Sequence, residues 1–277
     1  MDPILGLITA TLRIPPPHLT KPVEVTPFFE VGPEGFLMTT PAGGRLHYAP
    51  DAGLSLADPP GRPAGDMQPF AWSSGFAAAA WLDGRVPLRV NAARLRDGRL
   101  LLIASDRDDL REALALALAD ACGLAISDAP VVIDPEDPAR VCTNGRPITL
   151  RRSRTEMPEP AVRLDARRLQ LDRPAIDGRV VHSCVGLVCL TDGKGAAASA
   201  QELNLLAAIA EIKKHVFMPL VGSAIWGGDA ISGVNVVLAN ALPVLRLTLA
   251  PNQPPTGANA VELLALIEDQ LKQKADQ

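Results

Sequence analysis

Aromatic residues are scarce in this sequence, and basic residues are not in excess. Phe, Trp and Tyr together make up 4% of the 277 residues, and the formal net charge at pH 7 is −4. Nucleic acids are bound by basic surfaces and stacking aromatic side chains, and anionic membranes attract basic surfaces. We therefore expect neither nucleic acid nor a membrane to be the partner.

The sequence also lacks a long apolar run and a signal peptide. No run reaches the roughly 18 residues that a membrane-spanning helix needs. The N-terminal residues MDPILGLITATLRIPPP have an acidic second residue and no basic segment before the apolar one. We therefore expect a cytoplasmic protein.

Cysteine is limited to four widely spaced positions, Cys122, Cys142, Cys184 and Cys189. They stand in apolar or strand-like surroundings and lack the paired spacing of zinc modules, so we expect buried free thiols and no metal. The alternative is a metal site made by His182, Cys184 and Cys189, which would need a fourth ligand.

Two regions differ in their pattern. Residues 1–85 are rich in Pro and Gly and contain short β-type runs, which predicts a small β-rich N-terminal region. Strands and helices alternate over residues 86–277, which predicts an α/β or α+β domain. The charged, Pro-containing stretch 152–177 is interpreted as a loop or linker.

Helix boundaries are predicted from capping residues and periodicity. The predicted helices are Trp72–Leu82 with Ser73 or Ser74 as N-cap, Glu202–Val216 opened by a capping box at Ser199–Glu202, and an exposed amphipathic C-terminal helix at Ala258–Lys274. The sequence leaves open whether this last helix packs against a second copy or against another subunit.

The stretch Leu100–Leu124, LLLIASDRDDLREALALALADACGL, carries the clearest local signal. An apolar strand is followed by a short polar turn and by a helix of Ala and Leu that ends at Gly123. This order of strand, loop and helix is typical of a phosphate-binding loop.

Five segments in this order resemble the catalytic domain of the HPr kinase/phosphorylase family and its shorter relatives in biosynthetic gene clusters. The segments are LRVNAARL, RDGRLLLI, EALALALADACG, LAISDAP and LPVLRLTLAP, and the resemblance covers about Ser73 to Ala275. It implies an HPr-kinase-like domain of the P-loop type, ATP-dependent phosphotransfer and oligomers.

The residues that carry the family's chemistry are replaced. In the motif G-x-x-x-x-G-K-[ST], the fixed positions fall on Ser105, Leu110, Arg111 and Glu112. Glycines let backbone N–H groups converge on a phosphate, and Leu110 lacks that freedom.

The turn is also acidic. Asp106, Asp108, Asp109 and Glu112 stabilise the N-terminus of the helix but repel a phosphate, at about 1 to 4 kcal/mol for each charge pair at ~4 Å. We therefore expect no nucleoside triphosphate and no other cofactor at this degenerate site.

Two further positions indicate the same loss. The histidine that the family has on the preceding strand falls on Asn91, which cannot act as an acid or base near neutral pH. The second Asp of the family's Asp-Asp pair falls on Ala129, so that Asp128 alone remains as a weak catalytic candidate.

These substitutions predict an inactive pseudokinase that acts as a binding, scaffolding or regulatory subunit. Its partner would be a protein or peptide, such as an enzyme of the same gene cluster, and a homo-oligomer is also considered. The alternative is an active protein or peptide kinase that holds phosphate with arginines such as Arg107 and Arg111. Four more arginines are candidates for partner binding: Arg146, Arg151, Arg152 and Arg154.

Overall fold

The computed structural model describes residues 14–62, 64–151, 161–163, 168–171, 173–195, 197–251 and 253–275. Within them the chain is a mixed α/β protein with three sheets.

The N-terminal region is β-rich, as predicted. Five antiparallel strands follow one another in the sheet in chain order. They are β1 (Glu24–Val25), β2 (Phe29–Gly32), β3 (Gly35–Thr39), β4 (Arg45–Ala49) and β5 (Gly53–Ala57). One face is buried through Val31, Phe36, Leu46 and Tyr48 because apolar side chains recur on alternate positions of these strands.

A continuous helical segment leads from this sheet into the rest of the chain. It comprises α1 (Gln68–Phe70), a π-helical turn (Ala71–Gly75) and α2 (Phe76–Leu82). The predicted helix is therefore present, but the predicted N-cap is wrong because helical structure begins earlier, at Gln68. The Ser73 hydroxyl donates a hydrogen bond to the Pro69 carbonyl at 3.0 Å inside the helical segment.

The largest sheet has nine strands. The strands are β6 (Val86–Leu88), β7 (Asn91–Arg94), β8 (Leu100–Ser105), β9 (Ala125–Ser127), β10 (Val131–Asp134), β11 (Asp137–Thr143), β15 (His182–Asp192), β16 (Ser199–Glu202) and β17 (Val244–Leu249). Seven of them lie in the order β6-β10-β11-β15-β8-β7-β9, β17 also pairs with β15, and β16 pairs with β17. The chain between Val86 and Arg94 forms two strands, separated at Arg89 and Val90, because the first pairs with β10 and the second pairs with β8 and β9.

Parallel pairing at the centre of this sheet positions the candidate site. β15 (His182–Asp192) pairs in parallel with β8 on one side and with β17 (Val244–Leu249) on the other. The helix α3 (Asp108–Cys122) starts where β8 ends and stops at Gly123, whose φ of 66° permits the left-handed helix end. The carboxyl ends of β8, β15 and β17 therefore lie at the same edge of the sheet, and α3 starts from that edge.

The segment 152–177, expected to be a loop or linker, contains regular structure. β12 (Thr149–Arg151), β13 (Ala161–Arg163) and β14 (Arg168–Leu171) form a three-stranded antiparallel sheet in the order β12-β14-β13. The expectation was wrong at 161–163 and 168–171, because pairing between short strands decides their structure and a local sequence pattern signals it only weakly. Residues 152–160, 164–167 and 172 lie outside the described residues.

The predicted capping box is also wrong. Ser199–Glu202 is strand β16, antiparallel to β17. The following helix, α4 (Leu205–His215), starts after Asn204, whose side chain accepts a hydrogen bond from the Ala207 amide at 3.0 Å. Pairing with β17 therefore determines the structure of Ser199–Glu202, although their local sequence pattern is that of a helix cap.

Three helices complete the chain: α5 (Pro219–Trp226), α6 (Gly228–Ala241) and α7 (Ala260–Ala275). The apolar face of α7 is buried within the chain at Leu263 and Ile267, and the helix packs on α3. This face of the helix is therefore not exposed, and an interaction of α7 with a second copy or another subunit stays a prediction. Among the described residues no single helix is long and apolar enough to cross a membrane; α5 and α6 together pass that test, with a bend of 114° between them.

Both faces of the large sheet are buried. On β8, Leu100 and Leu102 belong to a core shared with the N-terminal sheet and α2, and Leu101 and Ile103 belong to a second core under α3 and α7. The continuous apolar run at the start of Leu100–Leu124 thus forms a strand covered on both sides.

Candidate functional site

The first turn of α3 lies against β7 and the end of β9, and six of the predicted positions meet there. The turn before the helix is closed by Ser105, whose hydroxyl accepts a hydrogen bond from the Arg107 amide at 3.1 Å and donates to the Leu190 carbonyl at 3.4 Å. Leu110 points away from the site into the core under α3. The positions that meet at the site are Asn91, Asp108, Arg111, Glu112, Asp128 and Ala129.

Arg111 is the most enclosed cation of this group, with 6% of its side chain exposed. Its Nε donates a hydrogen bond to Asn91 Oδ1 at 2.5 Å, and one terminal nitrogen forms an ion pair with Asp108 at 3.0 Å. The same nitrogen donates to the Arg89 carbonyl at 3.3 Å. Burial lowers the pKa of Arg111, and the neighbouring Asp108 and Asp128 carboxylates oppose that shift.

Asp108 bridges two arginines. Its second carboxylate oxygen pairs with Arg89 at 2.6 Å, while the first pairs with Arg111. The carboxylate at the N-terminus of α3 is therefore used in ion pairs between the helix and the segment that joins β6 to β7, in addition to its favourable position at the helix N-terminus.

Asp128 follows β9 and is held by backbone amides. One oxygen accepts from the Ala129 amide at 2.9 Å and from Asn91 Nδ2 at 3.4 Å, and the other accepts from the Thr149 amide at 3.1 Å. Burial raises the pKa of the Asp128 carboxyl, and the charge of Arg111 opposes that shift. Asp128 is thus a positioned carboxyl beside an arginine and more than a simple turn residue.

A cavity of about 250 Å³ opens beside these groups. Its charged wall contains three arginines and three carboxylic acids, so that it carries no large excess of either sign. These residues are Arg89, Arg111, Arg146, Asp108, Glu112 and Asp128. Pro69, Trp72, Pro130 and Phe217 supply an apolar wall opposite.

Arg146 stacks on Trp72, with the guanidinium carbon 5.5 Å from the ring centroid. One terminal nitrogen of Arg146 donates to Gln170 Oε1 at 2.5 Å. The indole Nε1 of Trp72 is a buried donor with no hydrogen-bond partner among the described residues. Of the four arginines proposed for partner binding, Arg146 therefore lines the cavity, and Arg151 ends β12; Arg152 and Arg154 lie outside the described residues.

Asn144 fixes the cavity wall. Its amide nitrogen donates to the Ala129 carbonyl at 2.9 Å and the Trp72 carbonyl at 3.3 Å, and its oxygen accepts from Ser127 Oγ and the Arg146 amide. The sequence interpretation missed Trp72, Asn144, Thr149 and Phe217. Only the Asn144-Gly145 pair gave a local signal, and that signal is typical of a turn.

Arg107, the other arginine of the kinase alternative, lies on the surface away from this network. It pairs with Asp109 at 2.6 Å and with Asp192 at 2.8 Å. The side-chain hydrogen bond to Asp109 is the main reason that the pKa of Arg107 is raised.

The alternative metal site does not form. In the part of the chain that the structure describes, His182, Cys184 and Cys189 do not make a group of three close ligands. His182 Nε2 lies 2.8 Å from the Asp177 carbonyl, and Cys184 Sγ donates to the Gly186 carbonyl at 3.7 Å. All four cysteines are free; Cys142 and Cys189 are buried as expected, whereas Cys122 and Cys184 are half-buried.

Comparison with family models and with curated proteins finds no match to this chain.

Proposed function

We propose that this protein is an HPr-kinase-like pseudokinase that binds a protein or peptide partner and transfers no phosphate. The observation that carries this proposal is the position of Arg111. It stands where the phosphate-binding loop has its lysine, but its guanidinium is buried in contacts with Asn91, Asp108 and the Arg89 carbonyl. A phosphate would have to break these contacts in order to use that charge.

The surroundings of Arg111 support the same conclusion. Asp108 and Asp109 occupy the first turn of α3, where a phosphate-binding helix presents free backbone amides. Each carboxylate near a phosphate costs about 1 to 4 kcal/mol at ~4 Å. Favourable binding of ATP would therefore need compensation from cations, and two of the three arginines beside the cavity, Arg89 and Arg111, are already paired with Asp108.

The convergence of the compared positions supports the family resemblance. Asn91 and Asp128, which stand where the family has a histidine and an aspartate, are hydrogen-bonded at 3.4 Å. Both lie beside the first turn of the helix that follows the strand–turn segment. If the positions compared with the family were instead spread over the surface of the molecule, they would not support the resemblance.

The cavity fits a side chain or a terminus of a peptide. Trp72 and Phe217 supply apolar contact, and Arg146 and Asp128 supply groups of opposite charge. Exposed aliphatic side chains on α4, α5 and α6 add apolar surface of the kind that protein partners cover. These are Leu206, Leu220, Val236 and Val237, which are between 41% and 79% exposed.

Calorimetric titration with ATP and Mg²⁺ tests the loss of nucleotide binding. We expect no heat of binding at ATP concentrations up to the millimolar range. Saturable binding in the micromolar range would contradict the proposal.

The binding role is tested by capture of partners from the native host with the full chain as bait. We expect a partner that is retained by the wild type and by Arg140→Ala, an exposed arginine on β11, but lost with Arg146→Ala and Trp72→Ala. A partner that binds all four baits equally would show that the cavity is not used.

The alternative function is a phosphotransferase in which Asp128 is the base. The position of Asp128 in the cavity wall, close enough to Arg111 for their charges to interact, favours it. Incubation with labelled ATP and a captured partner distinguishes the two functions. Transfer that is abolished by Asp128→Asn would establish the enzyme, whereas the pseudokinase gives no transfer with either protein.

A further inference from the structure

A second cluster of polar side chains lies on the other side of the loop between β8 and α3. Glu211 and His215 are four residues apart on the last turns of α4, so that they share one helix face. Cys189 faces them from β15. One ligand atom from each of the three residues lies within 4.8 Å of the others.

These three side chains border a cavity of about 200 Å³ that is separate from the one beside Arg111. Asp106 and Thr191 also line it, at the mouth where β8 and β15 end. Cys189 and His215 are 4% exposed each, whereas the Asp106 side chain is 70% exposed. The cavity has room for an ion and a water molecule, and it leaves one side of the cluster open.

We propose that Cys189, Glu211 and His215 bind a zinc ion, with the fourth position taken by water or by Asp106. A thiolate, an imidazole and a carboxylate are the three ligand types that Zn²⁺ accepts in proteins. Zinc–ligand bonds are about 2.0 to 2.3 Å long, so tetrahedral coordination places neighbouring ligand atoms about 3.3 to 3.8 Å apart. Because the three ligand atoms lie within 4.8 Å of one another, binding needs a contraction of at most about 1.5 Å, which small side-chain rotations would supply.

Two cations next to Glu211 decide how tightly the ion is held. Lys214 Nζ lies 3.0 Å from one oxygen of Glu211, and Arg246 lies 3.2 Å from the other. Arg246 can stay as an outer partner that orients the carboxylate, as metal-ligating carboxylates commonly have. Lys214 competes with the ion for Glu211, and its half-exposed, flexible side chain can turn into the solvent.

The competition by Lys214 gives the site a property that a simple ion-pair network lacks. Removal of the lysine charge by Lys214→Gln should tighten zinc binding several-fold, because a positive charge near the ion is lost. In a network without a metal, the same variant would only break the ion pair with Glu211.

Zinc binding is measured on the full chain by competition with a chelating indicator. We expect one ion per chain with a Kd below about 1 µM. Cys189→Ser and His215→Gln should each weaken binding by at least about tenfold. Cys184→Ser, a cysteine on the same strand outside the cluster, should bind as the wild type does.

Cobalt replaces zinc as a spectroscopic probe of the wild-type protein, which covers the case in which a variant fails to fold. We expect a thiolate-to-cobalt charge-transfer band and the visible absorption of tetrahedral cobalt. The proposal is overturned if the wild type shows no such band, if no zinc binds, or if Cys189→Ser and Cys184→Ser bind zinc equally.

Discussion

At the scale of single residues, Arg111 shows how a buried cation is satisfied by its neighbours. Its guanidinium contacts the side chain of Asn91, the carboxylate of Asp108 and a backbone carbonyl. Each contact replaces water that the charged group has lost. Removal of the cation would leave the Asn91 oxygen without its donor and would leave the acids of the site with fewer counter-charges.

We expect Arg111→Met to lower the free energy of unfolding by about 3 kcal/mol, because removing one partner leaves buried polar and charged groups unpaired. Urea denaturation measures this change. Arg107→Met is the matched control: its ion pairs are exposed, so its effect should be much smaller. Equal losses for the two variants would show that Arg111 is not the centre of the network.

His47 on β4 makes stability depend on pH. Burial lowers the pKa of its imidazole, and the charges of Glu34 and Asp51 oppose that shift. The folded protein therefore binds a proton at His47 less readily than the unfolded chain does. Above about pH 6.5 the imidazole is neutral in both states and does not reduce the free energy of unfolding; below that pH the unfolded chain binds the proton first, so the free energy of unfolding falls.

We expect the midpoint of thermal unfolding to fall between pH 7 and pH 5, and His47→Gln to make this fall shallower. Circular dichroism measured over the pH range gives both curves. Parallel curves for the two proteins would assign the pH dependence to other groups.

At the scale of elements, the packing of α5 against α2 depends on a small residue. A Cβ added at Gly222 would lie 2.8 Å from two ring carbons of Trp81 and 2.8 Å from Ile231 Cδ1. Trp81 is completely buried, so its ring has little room to move. The helix interior would otherwise favour alanine over glycine.

Gly222→Ala should therefore destabilise the protein by about 1 to 3 kcal/mol through overpacking. Gly233→Ala, in the interior of α6, meets nothing within 4 Å and should stabilise by up to about 1 kcal/mol. Chemical denaturation of both variants tests this pair. Stabilisation by Gly222→Ala would mean that α5 shifts freely on Trp81.

At the scale of the whole molecule, the N-terminal sheet and the large sheet share one core. Tyr48, Trp81, Leu88 and Leu102 belong to the same buried cluster. Trp81 Nε1 donates to the Phe217 carbonyl at 3.0 Å, and Trp226 Nε1 donates to the Trp81 carbonyl at 3.2 Å. The two tryptophan rings meet edge to face at 4.9 Å. The domain boundary expected at residue 85 stays a prediction.

This shared core should make the two sheets unfold together. Tyr48 is the single tyrosine of the chain and reports on the N-terminal sheet, whereas the fluorescence of the tryptophans reports on the helices behind it. We expect the tyrosine absorbance and the tryptophan fluorescence to change at the same urea concentration. Two separate transitions would show that the N-terminal sheet is an independent unit.

The sequence by itself determined the elements whose signals are local. The apolar run of β8 and the end of α3 at Gly123 could be predicted, because hydrophobic pattern and helix capping act over a few residues. That Ser105, Leu110, Arg111 and Glu112 replace the fixed positions of a phosphate-binding loop stays a prediction.

Only the tertiary structure decided which elements pair and which side chains meet. Ser199–Glu202 became a strand because β17 offered it an edge, although its local pattern is that of a capping box. Trp72 and Asn144 reached the cavity beside Arg111 from segments far from it in the sequence. Such contacts depend on how helices and sheets pack together, and no short stretch of sequence contains that information.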